Sequence, residues 1–197
     1  MSDFDTFVTV NLVHRFQNTK DLFVSEADTR WNDLASRVIR VALERKGLSY
    51  AELANALTAI GVKETERSLI SRVARGSAKL TLLLQIVHVT HALPPCLWID
   101  AIRAADSWEG RAQAVVSTEL ARKPWVTPLR LTGLLADIGT TISEKVLVSQ
   151  LSSGALPLSL FLQCLVVLGS TSLDRYIDFP DLTSAAAPVA EPPSKSG

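Results

Sequence analysis

Cysteine is nearly absent: Cys96 and Cys164 are isolated from each other, so a disulfide framework is not expected and a reducing compartment is. No apolar run reaches the roughly 18 residues a membrane span needs. The opening Met-Ser-Asp-Phe-Asp is acidic, unlike a secretory leader. A cytoplasmic protein with no membrane partner is the expectation. No nucleophile–base pair, glycine-rich phosphate loop or paired acidic cluster stands out, so no catalytic residue, no cofactor and no enzyme activity are expected. An excess of one charge is also missing, because 20 Lys/Arg balance 20 Asp/Glu.

The charge is unevenly placed. Residues 31–93 hold nine Lys/Arg against five Asp/Glu, while residues 108–177 hold six against five. The first thirty residues and the stretch from Asp178 onward are each net −2. A basic module thus sits in an acidic frame, and for phosphate binding the local field outweighs the whole-chain sum.

Within the basic module, Ser49 to Gly76 reads as two helices across a turn. Ser49 with Glu52 three residues on forms a capping box. Tyr50, Leu53, Ala54 and Leu57 keep the spacing of one buried helical face. Gly61 supplies the backbone freedom for a reversal. Thr65 can cap a second helix, with Glu66 in its positive first turn. On that helix Leu69, Ile70 and Val73 are expected to point inward, leaving Arg67, Ser71, Arg72 and Arg75 for a partner. This is the layout of a helix-turn-helix.

Ile70 to Gly76 followed by Leu80 to Leu93, together with the Leu53-Ala54 pair, resembles the DNA-binding domains of phage repressors and Cro-like proteins. The turn, Thr58 to Lys63, is longer than that family's spacing, which bears on the register of the recognition helix. Trp31, Leu43, Lys46 to Tyr50, Leu53, Ala54, Leu57, Ile60 to Val62, Glu64 to Glu66, Arg75 and Gly76 resemble more closely the signature of an uncharacterised bacterial family. The first resemblance implies a helical fold that binds duplex DNA.

The module is written twice. Trp31 returns as Trp108, and Leu43, Arg45 and Lys46 as Leu120, Arg122 and Lys123. After one inserted residue, Leu53, Gly61, Glu66, Leu69, Gly76, Leu80 and Gln85 return 78 positions later as Leu131, Gly139, Glu144, Leu147, Gly154, Leu158 and Gln163. Caps recur as Ser49/Thr127, Thr65/Ser143 and Thr81/Ser159, with Pro128 at a first helical position. Matches at apolar, glycine and cap positions on one offset indicate tandem duplication. The expected fold is therefore mainly α: two four-helix units, each containing a helix-turn-helix. Helices are predicted over 32–46, 50–59, 65–75 and 81–92, and over 109–122, 128–137, 143–153 and 159–168. Residues 1–30 are expected to form an arm with a short strand over Phe4 to Phe16, where Thr and Val alternate. Residues 94–107 read as a linker with a short helix, and 178–197 as a disordered tail.

The copies differ at their surfaces. Arg72 corresponds to Gln150, Arg75 to Ser153, Lys79 to Pro157 and Lys63 to Thr141, whereas Arg67 corresponds to Lys145. The first unit is therefore the expected nucleic-acid module. The second is either a packing or dimerisation module or a second reader of a successive half-site. Candidate base-reading residues are Thr65, Arg67, Ser68 and Ser71, near the helix start; Arg72, Arg75 and Lys79 suit phosphates, and Lys63 and Tyr50 lie where the backbone of DNA can be reached. Tyr50 equally suits a half-buried core position. His88, His91 and Cys96 superficially suggest a metal, but a fourth ligand is missing and Pro94-Pro95 separates them, so no metal is expected. The function implied is a transcription regulator, acting at the nucleoid as a homodimer on double-stranded DNA, with other transcription proteins as further partners. The competing expectation is a protein-interaction adaptor that keeps the fold without binding DNA.

Overall fold

The computed structural model describes residues 26–186. Ten α-helices and one 3-10 turn make up these residues, and no strand of a sheet occurs among them. The strand expected over Phe4 to Phe16 lies outside the described residues. In the first unit, α1 spans Glu26–Glu44, α2 Tyr50–Ala59, α3 Glu66–Ala74 and α4 Leu80–Val89. A 3-10 turn at Cys96–Trp98 and α5, Ile99–Arg103, lead to the second unit. There α6 spans Trp108–Ala121, α7 Pro128–Asp137, α8 Glu144–Ser153 and α9 Leu158–Leu168, and α10 follows at Phe179–Ala186. No described helix is long and apolar enough to cross a membrane.

Local chemistry sets these boundaries. The Ser49 hydroxyl accepts from the Glu52 amide at 3.3 Å and the Glu52 carboxylate accepts from the Ser49 amide at 2.8 Å, which completes the capping box of α2. Thr65, Ser107, Thr127 and Ser143 cap α3, α6, α7 and α8 by the first of these bonds alone, each side chain accepting from the amide three residues on. The reversal after α2 turns at Gly61 (φ 81°), with the Val62 amide reaching back to the Leu57 carbonyl at 2.9 Å. Gly139 (φ 85°) and the Thr140 amide on the Leu135 carbonyl repeat it after α7.

The two units are interleaved. The fourth helix of each packs more extensively on the first helix of the other unit than on its own: α9 against α1, and α4 against α6. Where the units cross, an isolated antiparallel bridge pairs Lys79 with Pro157, its counterpart in the repeat. The Leu80 amide donates to the Leu156 carbonyl at 3.0 Å and the Leu158 amide to the Ala78 carbonyl at 2.8 Å. Each of these bonds is the other's image under the 78-residue offset, so a pseudo-twofold axis passes through this bridge. One continuous core results, running from Trp31, Ile39 and Leu53 through Leu82 and Leu83 to Leu131, Phe161 and Leu165. A single chain thereby has the build of a symmetric dimer.

Four expectations are corrected. Thr81 and Ser159 do not cap α4 and α9: both lie inside the first turn, and the N-cap positions are Lys79 and Pro157. Neither of these makes a side-chain cap bond; the Leu80 and Leu158 amides are taken instead by the bridge between the units. The first helix begins at Glu26, upstream of the predicted arm's end at residue 30. Residues 179–186 of the expected disordered tail form α10, whose Leu182 and Ala185 are buried and whose Asp181 accepts from Arg37 of α1 at 2.7 Å. Ile70 does not point inward; it is 45% exposed on α3.

The repeat also runs further than the four helices. Trp98 and Tyr176 are 78 positions apart, and each closes the same turn: the Trp98 amide on the Pro95 carbonyl at 2.9 Å, the Tyr176 amide on the Leu173 carbonyl at 2.8 Å. Each aromatic is buried, and the helix that follows it packs on the first helix of the other unit. The α10 helix is thus the second copy of the linker helix α5.

Candidate nucleic-acid interface

The charged candidates lie along α3 and the turns that flank it, with Lys63 before the helix, Arg67 and Arg72 in it, Arg75 at its C-cap and Lys79 beyond. Position and support come from behind, where Leu69 and Val73 enter the core and the buried Ser36 hydroxyl of α1 donates to the Val73 carbonyl. At its C-terminus, Gly76 (φ 64°) lies against Asn32 of α1 so tightly that a β-carbon would overlap the Asn32 backbone. At its N-terminus the Thr65 hydroxyl accepts from the Ser68 amide at 3.2 Å. The helix is therefore held rigidly at both ends, and side chains on its outer face project from a fixed frame.

Lys63, Thr65, Arg67, Arg75 and Lys79 are exposed, and Ser68 and Ser71 are half-buried beside them. Among the described residues none of Lys63, Arg67, Arg75 or Lys79 pairs with a carboxylate. Arg72 is different: its guanidinium is 2.7 Å from the Glu64 carboxylate in the preceding turn, and both side chains are largely covered. This pair lines a cleft of about 370 Å³ with Ser77, Lys79, Gln85 and Glu109, at the crossing of the two units. Arg72 thus orders the long turn and is not a free cation. Tyr50 is half-buried against α1; burial pushes its phenol up, Arg40 opposes that shift and Glu44 adds to it. Its side chain at the start of α2 thus lies near Arg40 and Glu44 of α1, against the core.

Ile70 was missed as a surface residue because its spacing from Leu69 and Val73 fits a broad apolar stripe. Its counterpart Val148 is also exposed, at 40%. Exposure at the same repeat position in both units is a signal the duplication itself carries. An exposed isoleucine among arginines suits apolar contact with a thymine methyl group.

The corresponding face of the second unit has another character. On α8 only Lys145 is basic, and Val146 and Val148 are exposed. Beside it, Leu129 of α7 and Trp125 are exposed at 67% and 58%, with the Lys123 ammonium 5.4 Å from the Trp125 ring. Leu129, Val146 and Val148 stand where the first unit has Ala51, Ser68 and Ile70, and the exposed Arg130, Glu144 and Lys145 lie in the same two helices.

The remaining sequence candidates are structural in their surroundings. The His88 and Trp108 rings are nearly perpendicular with centres 5.4 Å apart, and the Arg111 guanidinium lies over the Trp108 ring at 4.5 Å, so the three form a cluster between α4 and α6. Cys96 is exposed in the linker turn. No group of three His, Cys, Asp or Glu that could hold a metal occurs among the described residues. Burial pushes the Cys164 thiol up to about 12, leaving it without thiolate character at neutral pH.

Comparison with known proteins yields one family. A domain of unknown function (DUF6471) matches residues 31–94 and again residues 108–173, so its boundaries follow the two units. No curated protein and no solved structure matches the chain.

Proposed function

Because the chain belongs to the DUF6471 family, twice over, and that family carries no described activity, we propose a function from the geometry: a duplex-DNA-binding transcription regulator that reads DNA with α3. The observation that carries this reading is a run of exposed cations along α3 and its flanking turns: Lys63, Arg67, Arg75 and Lys79, all free of carboxylate partners among the described residues. Arg67, Ser68 and Ile70 lie toward the helix N-terminus, the end that enters the major groove in helix-turn-helix docking. Arg75 and Lys79 lie at the far end, suited to phosphates. The likeness to phage repressor and Cro-like domains belongs to the same proposal.

One chain offers one cationic reading helix, while a regulator of this kind uses two half-sites. In the proposed assembly a second copy docks through the apolar face of Trp125, Leu129 and Val146, giving a homodimer with two cationic helices. The mechanism is occupancy of a promoter-proximal site at the nucleoid. The adaptor reading draws on the same apolar face and on the zero net charge; it predicts a protein partner and no duplex binding.

The test is fluorescence anisotropy of the full chain on labelled duplex DNA across a salt series. The expected result is binding that weakens steeply with salt, with a log–log slope that falls by about 1 for each phosphate contact removed. Arg67→Ala with Arg75→Ala should cut affinity by about 100-fold at constant thermal stability, because both side chains are exposed. Absence of any salt-dependent duplex binding leaves the adaptor reading in its place.

A further inference from the structure

The pseudo-twofold axis allows each place in the molecule to be compared with its image. Behind the C-terminal ends of α6 and α9 in the second unit, the place is filled. The Trp98 indole is wholly buried there, tilted on Phe161 with ring centres 5.7 Å apart, and donates to the Glu119 carboxylate at 2.6 Å. The other oxygen of Glu119 accepts from the Ser170 hydroxyl at 2.7 Å. A carboxylate is thus built into the second half, with buried donors on both oxygens.

The image of that place, behind the ends of α1 and α4, is a cavity of about 290 Å³. Here Tyr176 stands for Trp98, Ala42 for Glu119 and Ala92 for Ser170. The carboxylate and its hydroxyl partner are both gone, and two methyl groups leave the space open. Its walls are Ile86, Val87 and the Tyr176 ring, and its rim holds Arg45, Lys46, His91 and Arg175. Among the described residues none of Arg45, Lys46 or Arg175 pairs with a carboxylate; Arg175 donates to the Leu93 carbonyl at 3.3 Å.

Arg45 and Lys46 have a structural explanation, since Arg122 and Lys123 recur at the equivalent helix end, where cations offset the carbonyl dipole. Arg175 has no such counterpart, because its image is Leu97; its hydrogen bond goes to the Leu93 carbonyl, a group of the cavity's own lining. The first half therefore adds a guanidinium and removes a carboxylate at one place. A half-open cavity with Ile86, Val87 and Tyr176 on its walls and cations at its rim, near the lower end of the ordinary range for ligand pockets (about 300–1,000 Å³), is what such a change produces.

We propose that this cavity binds a small organic anion, a single carboxylate or phosphate head on an apolar body, which supplies the negative charge that Glu119 supplies in the other half. Its head meets Arg45 and Arg175 and its body lies on Ile86, Val87 and Tyr176. Guanidinium groups suit both heads, since each presents paired oxygens to a planar fork. The site joins α1 and α4 of the first unit to the segment that follows the second, so the ligand clamps the two halves together. The inference stands apart from DNA binding and survives its failure.

The experiment is thermal unfolding and titration calorimetry of the full chain with benzoate, phenyl phosphate and inorganic phosphate as probes. Benzoate or phenyl phosphate should raise Tm by roughly 2–4 °C once well above its dissociation constant, and inorganic phosphate, lacking a body, by less. Arg175→Leu, which installs the residue of the other half, should lower probe affinity at least tenfold with little change in the unliganded Tm. Ala42→Glu should remove probe binding by supplying the carboxylate internally. If Ala42→Glu does not fold, Arg175→Leu alone decides. No calorimetric binding of either aromatic probe at millimolar concentration, or equal affinity in wild type and Arg175→Leu, overturns the proposal. Equal binding of inorganic phosphate overturns its apolar half and leaves a bare anion site.

Discussion

Gly76 lies against Asn32 with no room for a β-carbon, and Gly154 lies the same way against Glu109, the image of Asn32. Both glycines have positive φ, 64° and 67°, and both end a helix that sits on the first helix of its own unit. A side chain would meet two penalties at once, left-handed strain and collision with backbone that cannot swing away. Gly76→Ala and Gly154→Ala should each destabilise the chain by about 3 kcal/mol or more in urea unfolding. Gly133 is the control. It lies exposed inside α7 with nothing near its missing β-carbon, so Gly133→Ala should stabilise by roughly 0.5–1 kcal/mol. A neutral Gly76→Ala would show that α1 and α3 are not in close contact.

The Glu119 carboxylate holds the linker turn and the end of α9 together through Trp98 and Ser170. Truncation to alanine leaves the indole N–H buried without its acceptor, leaves the Ser170 hydroxyl only Ser172, and opens a void. Glu119→Ala should cost about 3–5 kcal/mol, and Glu119→Gln, which keeps one acceptor, about half of that. Equal losses for the two variants would show that charge, and not the Trp98 bond, is what the core requires.

Stability should fall in acid partly through Glu52. Hydrogen bonds from Ser49, side chain first and then backbone, hold its carboxyl below the usual carboxylate range. A depressed folded-state pKa means that the stabilisation is present above the unfolded value and is lost as pH falls through the folded one. Glu52→Gln should therefore narrow the stability difference between about pH 6 and about pH 3, roughly 1.5 units either side of the ordinary Glu value. Ser49→Ala should act in the same direction and cost about 1 kcal/mol at neutral pH. An unchanged acid limb in both variants would show that the capping box does not form in solution.

Much of this architecture was legible in the chain because its signals are local. Ser49, Thr65, Thr127 and Ser143 cap the helices expected of them, and Gly61 and Gly139 turn where a reversal was needed. What escaped was long-range. Nothing in the apolar pattern of Leu158 to Leu168 says that it packs on α1 of the other unit more than on its own α6. The Trp98/Tyr176 correspondence was hidden because the two aromatics differ and the residues around them diverged, as Leu97 did from Arg175. For the same reason α10 read as tail. On and beside α3, Arg67 and Arg75 are exposed as their spacing predicts, but Ile70 is exposed too, since a stripe of Leu69, Ile70 and Val73 cannot say which apolar residue lies at its edge.

The apolar face of the second unit gives the last prediction. Leu129 and Val146 occupy the repeat positions that Ala51 and Ser68 hold in the first unit, so the swap Leu129→Ala with Val146→Ser replaces them by residues the fold already accepts. Both are exposed, at 67% and 46%, and their loss removes little core. Stability should change by less than about 0.5 kcal/mol. Self-association should change much more, because an exposed patch carrying Trp125 as well is what an isologous contact uses. Sedimentation should show the wild-type chain as a dimer and the double variant as a monomer with weakened duplex binding, since one chain then engages one half-site. A wild-type chain that sediments as a monomer and still binds DNA at full affinity would instead assign both half-sites to one molecule, with α3 and α8 reading them across the Lys79–Pro157 axis.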